Sequence, residues 1–200
     1  MTEDLKKKKR KKPSLKRQLI EWGIIIAIGA FLYLTGLHVQ VIGTLQGLVL
    51  KTGLIKPKMS TEEPIAKADY NFRVVDQDGT LIMGDDLKGK TVFINLWATW
   101  CPPCVAEMPD INKLYNEIAS EDIVFLMISL DDDFEKAKTF VDKKGYDFDI
   151  HKFASTPPSS LYSKIIPTSF VLSPDGNIVV RKEGMAKYNS KSFREFLKSL

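Results

Sequence analysis

Two hundred residues with a formal net charge of +4 suit one ordinary domain plus an appendage. The charge is unevenly placed: residues 1–18 carry nine Lys/Arg against Glu3 and Asp4, a net of +7, which leaves residues 19–200 at −3. The body is therefore mildly acidic, which argues against a nucleic-acid-binding domain with a basic face of its own.

The lysine run at residues 6–12 reads as a solvated tail that sets orientation, in preference to nuclear targeting. From Trp22 to Leu50 no Asp, Glu, Lys or Arg occurs. The most apolar part, residues 19–37, predicts a membrane-spanning helix, since a bilayer core needs roughly 20 residues. Trp22 and Tyr33 suit the two interfaces. Positive charge before the span puts the N-terminus in the cytoplasm and the bulk of the chain outside. A cleavable signal peptide is the rival, but no small-x-small cleavage site follows promptly. Residues 38–55 are too polar for a second span and too apolar for a free linker, so they read as an interfacial amphipathic segment in contact with the bilayer. Gly43 and Gly47 form a small-xxx-small pair within it. Residues 56–66, with Pro57 and Pro64, read as linker.

Residues 67–200 carry the folded domain. Tyr70 to Val75 alternates, Asp78-Gly79 turns, and Thr80 to Met83 returns, which predicts a hairpin. Thr91 to Trp97 and Ile123 to Leu130 are apolar runs fit for buried strands. Between them Met108, Ile111, Leu114, Tyr115 and Ile118 recur at helical spacing. Phe134, Ala137, Phe140 and Val141 predict a second helix stopped by Gly145. A short strand over 147–153 and a short helix over 158–164 follow. Thr168 to Leu172 and Ile178 to Arg181 flank a turn at Ser173 to Asn177, and Phe193, Phe196, Leu197 and Leu200 mark a last helix. The order implies an α/β domain, a mixed sheet with helices on both faces.

The chain's only cysteines, Cys101 and Cys104, stand in Trp97-Ala98-Thr99-Trp100-Cys101-Pro102-Pro103-Cys104, between a predicted strand and a predicted helix. Two thiols so placed can close a disulfide and open it again. A purely structural bridge over so small a loop would constrain little of the unfolded chain. A zinc site lacks further ligands, since only His38 and His151 remain and neither is given a role. No metal is expected, and no cofactor beyond the cysteine pair itself.

The strand, the Trp-Cys-Pro-Pro-Cys loop, the helix, Ile166-Pro167-Thr168 before a strand, the second hairpin, Gly184 and the terminal helix together resemble the thioredoxin fold. The extra N-terminal hairpin, the insertion between Leu130 and Pro167 and the anchor resemble the TlpA/ResA-like family of membrane-anchored, extracytoplasmic thiol–disulfide oxidoreductases. Cys101 is the expected nucleophile and exposed, its thiolate favoured by the helix N-terminus; Cys104 is the resolving thiol. Pro102 and Pro103 stiffen the loop and tune the couple. The resemblance implies that Pro167 is a cis-proline beside the cysteines, that Ile166 offers its backbone to a substrate strand, and that Gly184 and Trp100 line the same groove. It also implies that Glu107, one turn beyond Cys104, exchanges protons with the pair; a partly buried carboxylate would suit that task. Asn95 departs from thioredoxin, which has a buried aspartate there. Pro109 matches a helix-kinking proline of the family.

The expected partners are oxidised protein thiols as substrate and a membrane-embedded thiol electron donor, with use in cytochrome c maturation. A disulfide-donating oxidase is the alternative direction. A thiol peroxidase would want an arginine beside the nucleophile, and the nearest in sequence, Arg73 and Arg181, do not adjoin the loop. A non-enzymatic membrane tether would survive loss of both cysteines.

Overall fold

The computed structural model describes residues 15–59 and 64–200. Most of the expected basic tail, 1–14, and residues 60–63 of the expected linker lie outside the described residues. The chain divides into two units, 1–38 and 39–200.

The first unit contains α1 (Leu15–Leu34), 20 residues with no buried side chain. At 1.5 Å per residue it is about 30 Å long, the thickness of a bilayer core, and it is apolar enough to cross one. Gly36, at φ +71°, ends this apolar run. A second helix, α2 (Leu37–Lys51), begins at once and lies almost wholly in the second unit.

The second unit is built on one eight-stranded sheet. The strands are β1 (Ala66–Lys67), β2 (Arg73–Asp76), β3 (Leu81–Met83), β4 (Thr91–Trp97), β5 (Ile123–Ser129), β6 (Ile150–Phe153), β7 (Thr168–Leu172) and β8 (Asn177–Glu183). Their spatial order is β1-β8-β7-β4-β5-β6-β2-β3, with β4–β5 and β5–β6 parallel and the other pairs antiparallel. Both expected hairpins form, β2–β3 at one edge and β7–β8 near the other. The short β1 was not expected. It pairs with β8 at Ile178 and Asn177, so the end of the predicted linker is tied to the sheet.

Strand alternation divides the core. Phe93 and Trp97 of β4, with Phe125 and Met127 of β5, face α3 (Pro102–Ile118), α4 (Phe134–Lys144) and α5 (Lys191–Ser199). Val92, Ile94, Leu96, Leu126 and Ile128 point the other way, onto Tyr70, Phe72 and two 3-10 turns carrying Leu87 and Leu161. Both faces therefore carry helical cover, of different kinds. Every residue of β4 is buried, which explains why its run is apolar apart from Thr91 and Asn95. Gly84 is required where it stands, because a Cβ would fall 2.1 Å from the Tyr70 carbonyl oxygen.

Candidate active site

The site lies where β4 ends and α3 begins. Cys101 is the N-cap of α3, Pro102 and Pro103 fill its first positions, and Cys104 lies in its first turn. Proline is well placed there because the first helical N–H groups have no intrahelical acceptor. Cys101 and Cys104 are joined as a disulfide. The Cys104 backbone N–H points at Cys101 Sγ at 3.3 Å, so one free helix-terminal donor already addresses the sulfur that would carry a thiolate.

Cys101 is only 4% exposed and Cys104 is fully buried. This corrects the expectation of an exposed Cys101. Its side chain caps the helix and joins the core cluster of Trp97, Ala98 and Met108 instead of projecting outward. The exposed member of the motif is Trp100, at 59%.

The neighbouring strand supplies the other wall. Leu96 pairs with Thr168, which brings the start of β7 beside the end of β4. The Ile166–Pro167 bond is cis. Ile166 packs against the cluster that contains both cysteines. Gly184, at φ +74°, donates its N–H to the Pro167 carbonyl at 2.8 Å. The structure thus brings Ile166, Pro167 and Gly184 together at this end of the sheet.

Behind the disulfide is a buried polar group that the sequence only partly indicated. Glu107 is fully buried on α3, one turn beyond Cys104. Its Oε1 accepts from Asn95 Nδ2 at 2.8 Å and its Oε2 from the Ala186 backbone N–H at 3.1 Å. Burial raises the Glu107 pKa from 4.5 to about 8, outweighing these two hydrogen bonds and the Lys182 charge. Asn95 also donates to Ser169 Oγ at 2.8 Å, while its own Oδ1 has no partner among the described residues. Asn95, which cannot titrate, therefore holds the titrating carboxyl of Glu107 against β4.

A second positioning group was missed. Asp131, just beyond β5, accepts from the Thr99 backbone N–H at 2.9 Å, from Thr99 Oγ1 at 2.6 Å and from Ser129 Oγ at 2.9 Å. It pins the loop two residues before Cys101. The sequence signal was the first of three consecutive aspartates after an apolar strand, which by itself says nothing of a partner 32 residues earlier.

The redoxin family profile matches residues 64–195. The chain belongs to the redoxin family. Curated relatives named thiol–disulfide oxidoreductase ResA include those of Bacillus cereus, 35% identical over 134 residues, and Bacillus anthracis, 34% identical over 134 residues. Each match covers 66% of this chain and 76% of the relative. A thioredoxin-family thiol:disulfide interchange protein from Chlorobium tepidum is 27% identical with a TM-score of 0.52, covering 70% of this chain and 98% of that one. A DsbF homologue from Corynebacterium diphtheriae shares the fold at 19% identity, with a TM-score of 0.54 over 74% of this chain and 95% of that one. This redoxin is a thiol–disulfide oxidoreductase of the thioredoxin-like fold, with Cys101 and Cys104 as its redox pair.

Proposed function

We propose that the protein reduces protein disulfides outside the cytoplasm, held to the membrane by α1 with its N-terminus inside, and that apocytochrome c is among its substrates. The observation that carries the reading is the Cys101–Cys104 disulfide capping α3, backed by a buried carboxyl with a pKa of about 8. No cofactor beyond the cysteine pair is needed for the exchange.

In the reduced protein, the Cys101 thiolate attacks a target disulfide and forms a mixed disulfide, releasing one target thiolate. Cys104 then attacks Cys101 Sγ, re-forms the internal disulfide and releases the second. Two electrons pass to the target, and its two thiolates take their protons from solvent. Glu107 takes the Cys104 proton in that step. When a donor reopens the disulfide at Cys101, Cys104 leaves as a thiolate and Glu107 returns the proton. An ordinary thiol titrates near 8.5, so a carboxyl at about 8 exchanges a proton with it at little cost in either direction. Ile166, Pro167, Gly184 and exposed Trp100 form the groove for the target strand, with Pro102 and Pro103 setting the poise of the couple.

Family resemblance and the tether support this direction of electron flow, since a reductase in an oxidising compartment needs resupply by a membrane-embedded thiol donor. Acid quenching of living cells followed by thiol-specific mass tagging tests it. The pair is expected mostly as dithiol, turning to disulfide when the donor is removed. A pair found mainly as disulfide in normal cells would establish the oxidase direction instead.

A further inference from the structure

A cavity of about 360 Å³ lies between α2 and α3, and none of the redox chemistry above uses it. Gly43 makes the close approach on which this packing depends: a Cβ there would stand 3.0 Å from the Pro102 carbonyl oxygen and 3.2 Å from Val105 Cγ1. The cavity wall is apolar, with Gly47 and Leu48 from α2 and Val105, Ala106 and Pro109 from α3. The rim is cationic, with Lys51, Lys113, Lys144 and Lys187 against one acid, Asp110. Asp110 is already engaged, accepting the backbone N–H groups of Tyr188 and Asn189 at 2.7 and 2.8 Å. None of the four lysines forms an ion pair among the described residues, and Lys144 reaches only Gln40 Oε1, at 3.5 Å. Four lysines lining one cavity with an apolar wall complement an amphiphile with an anionic head.

The outer side of α2 indicates where such a molecule comes from. At 100° per residue, Val41, Leu45, Leu48 and Val49 stand away from Gly43, and all four are exposed. Leu48 belongs both to this strip and to the cavity wall, so the cavity opens beside an unpartnered apolar face. Only two residues separate α2 from the end of α1, a reach of about 7 Å.

We propose that the α2–α3 cavity binds the phosphate headgroup of an anionic phospholipid of the bilayer. The lysine rim pairs with the phosphate, and the acyl chains run along the exposed strip of α2. The inference rests on the reading of α1 as a membrane anchor. It gives α2 a task beyond linkage: through Gly43 against Pro102, the headgroup fixes the helix that carries the cysteines close to the membrane, within reach of a donor embedded there.

The test is native mass spectrometry of the full chain in detergent, with phosphatidylglycerol or phosphatidylcholine added. Wild type is expected to retain phosphatidylglycerol preferentially. The double variant Lys113→Gln, Lys144→Gln should lose roughly thirtyfold of that preference, at about 1 kcal/mol per surface lysine. Its disulfide-exchange rate should stay unchanged, which shows that it has folded. Equal retention of the two lipids by wild type, or a preference untouched in the double variant, overturns the proposal. Displacement of the lipid by inorganic phosphate at equal concentration also overturns it, because the apolar wall would then contribute nothing. Alkaline carbonate extraction reads the anchor separately. A chain released by carbonate that still prefers phosphatidylglycerol supports the cavity and overturns only the reading of α1.

Discussion

Replacing Glu107 by Gln removes one ionisation from the core while keeping nearly the same shape. In the folded, disulfide form this carboxyl holds its proton up to about pH 8, whereas in the unfolded chain it releases it near 4.5. Between those values the unfolded state binds fewer protons than the native state, so stability falls as pH rises. The penalty is absent below pH 4.5, reaches roughly 3 kcal/mol at pH 7, and is complete above pH 8, taking 1.36 kcal/mol per pKa unit. His151 works in the opposite sense: burial lowers its pKa to about 4, so its contribution is lost as pH falls from 6.5. The two slopes overlap, and the difference between wild type and variant isolates Glu107. The introduced amide can be accommodated, because Asn95 can turn to meet it. The unpartnered Asn95 Oδ1 then accepts from the new NH₂ group, while Ser169 Oγ can donate to the same oxygen. Denaturant unfolding of the oxidised full-length chain in detergent, from pH 4 to 9, is the assay. The Glu107→Gln variant should gain on wild type progressively from about pH 4.5 to 8, by roughly 3 kcal/mol at pH 7. Parallel stability curves would refute the reasoning, since they would mean the carboxyl titrates alike in both states. A variant whose exchange rate also keeps the wild-type pH profile would remove Glu107 from the proton-transfer role.

Cys104→Ser should accumulate mixed disulfides with target proteins and Cys101→Ser should not, as read on non-reducing gels; equal trapping by the two variants would cancel their division of labour. Asp131→Ala removes the acceptor of three hydrogen bonds at the loop before Cys101 and should cost about 2–3 kcal/mol in unfolding free energy. It should also slow disulfide exchange, so an unchanged rate would count against a positioning role. Gly84→Ala should destabilise strongly, because the Tyr70 backbone offers no room for a Cβ, and a wild-type melting temperature would contradict the close packing seen there. A topology reporter fused after Leu200 should be active only outside the cytoplasm, and activity inside would reverse the proposed orientation.

The sequence by itself determined the chemistry and most of the scaffold, because those rest on local rules. A Cys-Pro-Pro-Cys loop between an apolar run and a helical pattern defines a dithiol at a helix N-terminus whatever surrounds it. Mostly apolar runs marked β4 and β5, which are buried on both sides, and period-3.6 patterns marked α3, α4 and α5, each of which buries one face. The two-residue β1 could not be read that way. It carries no pattern of its own and exists only because β8 offers an edge at Asn177 and Ile178. The tertiary structure alone decided the electrostatics of the site. Whether Glu107 sits in water or in the core depends on Asn95 and Ala186, which are 12 and 79 residues away in sequence. Burial, not residue type, sets its pKa, and burial is a property of assembled elements. The same holds for Cys101, which local position suggested would be exposed and which packing covers. It holds too for Gly43, whose spacing from Gly47 suggested helix packing but not the partner. Only the fold shows that the partner is the first turns of α3, beside the redox pair.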